Sequence, residues 1–233
     1  MECGANSGRP PHEIRPPHVR LASVQVGQVA PLGPQRVASG FVKLPVPGKV
    51  HVGLLGLEGD AQADLNLHGG PDKAVYGYAA SHYPTWLAEF PEHEHRFVPG
   101  GFGENLTIEG LDEEQICVGD IHRIGSALLQ VCQPRVPCYK FAIRFEDNRM
   151  PRAMVRSGRS GWYYRVLETG TLEMGDTIEV IDRPRPDFPF PRLVYIVNYG
   201  RATREEIQAL AEMSEVALPL QMIAQQSVLS RSI

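Results

Sequence analysis

The sequence predicts a mainly β fold, a closed barrel with few short helices, followed by a small all-α C-terminal subdomain. Three observations carry this. Short alternating segments punctuated by turns run from about residue 21 to 181, helix signals are sparse within them, and the proline-dense "DRPRPDFPFPR" (182–192) marks a switch to helical periodicity. Closely spaced strands with few helices favour a barrel over a parallel sheet.

The elements follow in order. Leu21, Ser23 and Gln25 alternate with Ala22, Val24 and Val26 as in a strand. "KAVYGYA" is β-branched and aromatic, and "ALLQVCQ" is an apolar strand. "QICVGDIHRIG" and "LETGTLEMGDTIEVI" read as strand, Gly-Asp turn, strand, with turns at Gly119-Asp120 and Gly175-Asp176. Ser81 is placed to cap a short helix in "SHYPTWLAEF", and Pro151 to open another. Beyond the prolines, Thr203 and Glu206 have capping-box spacing, Ile207, Leu210 and Ala211 share a helix face, and Pro219 breaks or starts a helix. The expected organisation is a flexible tail (1–20), a barrel (21–183), a Pro-rich linker (184–192) and a helical appendage (193–233).

Composition narrows the function classes. The 233 residues are 42% hydrophobic and 21% charged, which is ordinary for a globular protein. A net charge of −4 gives no general attraction to a nucleic acid polymer or a membrane, and no apolar run is long enough to span a bilayer. Four cysteines without a CxxC make neither a disulfide scaffold nor a zinc ribbon. The N-terminal residues lack an apolar signal region. The expectation is a cytoplasmic protein with free thiols.

Several stretches contain residues suited to binding or catalysis. "GGFGENL" (100–106) is a tight loop or a backbone-amide nest for an anion, with Asn105 supplying a directional amide. In "HGGPDKAVY", Lys73 sits where a loop meets a strand, and His68 precedes two glycines; a solvated lysine and a loop histidine are the plain alternatives. "EHEHR" (92–96) tempts a metal reading but has no second ligand pair, so it reads as a solvated surface segment. The arginines of 144–165 form a solvated face or a phosphate or carboxylate clamp. In "CQPRVPCYK", Cys132 ends an apolar strand and reads as a buried thiol. Cys138 follows Pro137 and is flanked by Arg135 and Lys140, cations that favour a thiolate. These residues alone leave Cys138 open as inert or reactive.

The segments "GLEGDAQADLNLHGGPDKAVYGY", "GGFGENL", "VGDIHRIG", "QPRVPCYK", "GWYYRV" and "GDTIEV", in that order, resemble the MOSC family, named after the C-terminal domain of molybdenum cofactor sulfurase. The likeness is greatest to its YiiM-like branch, in which a three-helix appendage follows the barrel, and it covers roughly residues 21–233. It implies a barrel that binds molybdenum cofactor (molybdopterin), with Cys138 as catalytic residue and molybdenum ligand. Arg135, Gln133, Asn105, Gly103, Lys73 and His68 fall in segments the resemblance links to cofactor binding. A pyridoxal phosphate association also attaches to the family as a whole. The implied activity is reduction of N-hydroxylated compounds, such as hydroxylaminopurines and amidoximes, to amines or amidines. A cofactor carrier and a Cys138 persulfide sulfur-transfer protein are the alternatives. No flavin, haem or iron–sulfur motif is evident, so electrons would come from a separate reductase. The appendage is free to pack on the barrel or to form a homodimer.

Overall fold

The computed structural model describes residues 19–64 and 69–230. The expected tail lies outside them except for Val19 and Arg20, and His68 lies outside them too. The strands in chain order are β1 (Arg20–Val26), β2 (Ala30–Leu32), β3 (Val37–Ser39), β4 (Leu44–Pro45), β5 (Val50–Gly53), β6 (Gly56–Leu57), β7 (Val75–Ala79), β8 (Leu106–Glu109), β9 (Ile121–Ile124), β10 (Ala127–Pro134), β11 (Trp162–Glu168), β12 (Gly170–Leu172) and β13 (Ile178–Asp182).

The main sheet has the order β13-β9-β10-β11-β7-β8-β1-β4, with small sheets β12-β5-β6 and β2-β3 beside it. It closes on itself. Arg20 bridges Thr177, Leu21 N donates to Asp176 O and Ile178 N donates to Val19 O, both at 2.9 Å. Closure pairs strand edges that would otherwise be exposed. A register shift between Leu21 and Ser23 buries residues from both faces of β1. Only β7 and β8 pair in parallel within the main sheet. A parallel pair needs a crossover rather than a tight turn. Here it carries α1 (His82–Glu89), a 3-10 stretch (Pro91–Arg96) and the glycine-rich loop 100–104.

Two apolar clusters result. The barrel cluster includes Leu129, Val131, Trp162 and Tyr164. An aromatic cluster joins the barrel wall to the crossover and to α2 (Tyr139–Phe145) and α3 (Arg149–Ser157), through Phe41, Tyr78, Trp86, Phe102 and Phe141. Tyr78 and Phe102 stack with centroids 4.5 Å apart.

The helices refine the sequence reading. Ser81 precedes α1 but makes no side-chain capping bond. Helix α3 opens at Arg149, two residues before Pro151, which occupies the first turn where its missing N–H is tolerated. The C-terminal helices are α4 (Phe190–Tyr199), α5 (Arg204–Glu212) and α6 (Leu218–Ser230). The capping box forms at α5: Glu206 N donates to Thr203 Oγ1 at 3.2 Å and Thr203 N to Glu206 Oε2 at 2.7 Å. Pro219 is the second residue of α6.

The proline-rich segment is no free spacer. Phe188 O accepts from Val118 N at 3.1 Å, Phe190 N donates to Ile116 O at 3.0 Å, and α4 begins inside the segment. Leu193, Leu210 and Val216 join the barrel cluster, so the appendage packs on the barrel. The first half of "QICVGDIHRIG" forms no extended strand: it makes a Cys117–Pro189 bridge, and Gly119 N donates to Val131 O at 2.8 Å.

Candidate functional site

Beside the aromatic cluster, a pocket is built from loops 39–43 and 58–63, the turn ending at Lys73, β7, the Gly103–Asn105 loop, the segment after β10, and β11. Five of the residues singled out from the sequence meet there: Lys73, Gly103, Asn105, Arg135 and Cys138. Its void of about 90 Å³ is the scale of a phosphate group or a metal with its nearest ligands; a whole pterin would extend beyond it.

Arg135 is 8% exposed. Its guanidinium carbon lies 4.9 Å from the ring centroids of both Phe41 and Tyr76 and 5.7 Å from that of Phe141. Nη1 donates to Phe102 O at 3.0 Å, while the buried Nε has no partner. Among the described residues no carboxylate forms an ion pair with it. The buried Glu104 carboxylate acts on it through space, but a desolvated cation with no direct ion pair and an unpartnered N–H favours an anionic ligand. Lys140 Nζ donates to Ala38 O at 2.8 Å in the same pocket.

Lys43 and Asp60, absent from the sequence-based candidates, form a buried ion pair on the pocket wall. Burial lowers the pKa of the Lys43 ammonium, and Asp60 opposes that shift. Asp60 also accepts from Gly27 N at 2.8 Å and Asn105 Nδ2 at 3.0 Å.

Asn105 is therefore a brace more than a ligand donor. Its Nδ2 also donates to Gln25 O at 3.3 Å, and its Oδ1 accepts from Tyr76 N at 3.1 Å. The expected nest holds an anion, but one of its own. Gly100 N and Phe102 N donate to the buried Glu104 carboxylate at 2.7 and 3.0 Å, and Thr107 and Tyr83 donate their hydroxyls to it. Those two amides are thus not available to an outside anion. Gly103 adopts φ +79°, where a side chain is strained, and a Cβ there would press on Phe41 at 3.2 Å.

The two cysteines separate. Cys132 is fully buried in β10, with Sγ 3.2 Å from Asp72 O and 3.4 Å from Tyr163 O. Burial raises its thiol pKa far above the usual range. Cys138 is half-buried on the pocket wall, at the residue preceding α2. Gln133 does not line the pocket. Its Nε2 donates to Asp72 O at 2.7 Å and ties the Lys73 turn to β10.

Other charged clusters bind within the chain. Where "EHEHR" tempted a metal reading, Glu92, His93 and Asp147 do converge, but Arg149 bridges both carboxylates. Arg159 lies 3.7 Å over Trp86 and pairs with Glu89, while Arg165 pairs with Asp72. These three do not form an anion clamp. The pocket's own donors fit the implied cofactor: four cationic side chains, one orphaned guanidinium N–H and a thiol suit an anionic, phosphate-bearing ligand with a thiolate-binding metal.

The barrel and this pocket define a MOSC domain. The MOSC domain family matches residues 64–179, and the chain belongs to that family. Within it, the kinship is to YiiM-type proteins. The chain is 42% identical over 150 residues to Protein YiiM of Escherichia coli, covering 64% of this chain and 67% of that one. The crystal structure of YiiM from Geobacillus stearothermophilus superposes with a TM-score of 0.75 at 29% identity, covering 90% of this chain and 99% of the other. A protein named Reductase from Gibberella moniliformis is 35% identical over 201 residues; the match covers 85% of this chain but only 35% of that longer relative. The comparisons give no support to the pyridoxal phosphate association. No helix among the described residues is long and apolar enough to cross a membrane.

Proposed function

We propose that the protein is a molybdenum-cofactor-binding oxidoreductase that reduces N-hydroxylated compounds to amines or amidines. The observation that carries this reading is the half-buried thiol of Cys138, the one such thiol among the described residues, on the wall of a pocket that also presents Lys43, Lys73, Arg135 and Lys140. When bound, the molybdenum centre supplies two-electron redox chemistry at oxygen.

The chain's own residues bind and orient. Arg135, fixed between aromatic rings, balances the ligand's negative charge, with Lys73 and Lys140 adding to the field. Cys138 serves as a thiolate ligand to the metal, which itself favours loss of the thiol proton. Lys43 Nζ, held by Asp60, keeps a proton at the pocket wall. The overall reaction consumes two electrons and two protons: the N–O bond breaks, an N–H bond forms, and the oxygen leaves as water. The electrons come from a separate reductase. The name of the fungal relative favours turnover over cofactor carriage.

The test is expression of the full chain in a cofactor-competent host. Molybdenum and pterin are then measured, and benzamidoxime reduction is assayed with a reduced dye. Wild type should carry molybdenum and turn over, and Cys138→Ser should lose both while staying folded. A folded wild type without molybdenum sinks the reading. Molybdenum without turnover leaves the carrier, and cyanide-labile sulfur without stoichiometric molybdenum indicates persulfide transfer.

A further inference from the structure

Cys138 stands in the walls of two cavities. The second is an open groove of about 680 Å³ along α2, within the size range of small-molecule sites. The charged side chains that line the two differ in sign. The first pocket presents four Lys or Arg side chains and one carboxylate, Asp60. The groove's only charged side chains are acidic, Glu146 and Asp147, and its floor is apolar, with Pro34, Tyr139, Ala142 and Ile143.

The two acids are not equivalent. Asp147 is held by His93 at 3.0 Å and by Arg149 at 2.7 Å. Glu146 makes one 3.4 Å contact with Arg96, and its side chain is 73% exposed. It also follows α2 in the left-handed region, at φ 54° and ψ 31°, a position where glycine is usual. The fold thus carries a carboxylate at the groove's end despite a local conformational cost.

We infer that this groove is the substrate-body subsite of the reaction centre proposed above, taking an apolar or aromatic body with a neutral or cationic amidine-type head and rejecting carboxylates. The inference rests on that functional reading for its chemistry, but it has its own physical basis. An anionic cofactor is disfavoured by the exposed Glu146 carboxylate and drawn to the cations on the other side of Cys138. An amidine cation has the reverse preference. Cys138, common to both walls, marks where the two ligands meet.

The experiment titrates benzamidine, the amidine formed from benzamidoxime, and benzoate into the full-length protein by ligand-observed NMR. Molybdenum per chain is measured in parallel. Benzamidine should bind wild type at least tenfold more tightly than benzoate. Ala142→Phe, which fills the groove floor, should weaken benzamidine at least tenfold, and the exposed change Glu146→Gln should weaken it about threefold. Both variants should hold as much molybdenum as wild type. Equal binding of benzamidine and benzoate, or unchanged benzamidine binding in both variants, overturns the subsite. Loss of molybdenum in folded Ala142→Phe also overturns it, because the groove would then seat the cofactor. The titration needs no turnover, so a wild type that binds benzamidine but never loads molybdenum refutes the function and keeps the groove as an amidine site.

Discussion

Asn105 Nδ2 donates to Asp60 Oδ2 at 3.0 Å across 45 residues of sequence, and the same carboxylate holds the Lys43 ammonium. The pair's side chains are only 7% and 4% exposed, so each charge depends on the other for its solvation. The contact links loop 58–63, the loop leading into β8 and the segment before β4 into one wall of the pocket.

Asp60→Ala should therefore cost about 3–5 kcal/mol, because it leaves a buried ammonium unpaired. Adding Lys43→Met should recover part of that loss. Urea unfolding of the two variants measures both; a double variant no more stable than Asp60→Ala would refute the account.

His122 predicts a pH dependence of stability. It is fully buried in the barrel, with Nδ1 2.8 Å from Tyr164 Oη, and with Nε2 4.0 Å from Asp120 Oδ2 but without a hydrogen-bond partner. Burial, opposed by Asp120 and assisted by Arg183, lowers its pKa from 6.5 to about 4. Between those values the unfolded chain binds the proton that the folded chain refuses, so stability rises with pH across about 4 to 6.5 and falls as pH drops. The span is worth about 3 kcal/mol. His122→Leu should lose this contribution, so the stability difference between it and wild type should change by about 3 kcal/mol across this window, measured by urea unfolding at several pH values.

Alkylation should tell the cysteines apart. Iodoacetamide at pH 8 should label Cys138 in the cofactor-free folded protein and spare Cys132, whose thiol is buried and held protonated. Peptide mass mapping reads this directly, and Cys132 should react only after denaturant is added.

Glu146→Gly should raise stability by about 0.5–1 kcal/mol, because glycine adopts the left-handed cap without a Cβ clash. The lost Arg96 contact is exposed and weak. A thermal melt suffices, and a lowered midpoint would show that this contact outweighs the backbone strain.

The parts of the fold readable from sequence are those set by near neighbours. The capping box at α5 depends on residues three apart and forms as read. Cys132 in an apolar strand and Cys138 after Pro137 are local patterns, and the structure separates them the same way. Glu104 was legible in principle, since the amides of Gly100 and Phe102 that bind it lie within four residues. Reading "GGFGENL" as a nest for an outside anion overlooked the acid already present in the loop.

The sequence by itself determined the barrel class and the helical appendage, because periodicity, turn chemistry and proline constraints act over a few residues, while Cys138 stood out only through the ordered motifs of the family resemblance. Only the tertiary structure decided which polar groups remain available for a ligand. Asn105 is spent on Asp60, Gln25 and Tyr76, Gln133 on Asp72, and Arg149, Arg159 and Arg165 on acids within the chain. Arg135 keeps a buried N–H without a partner. Buried polar groups must find partners, and those partners come from distant segments that closing the barrel brings together.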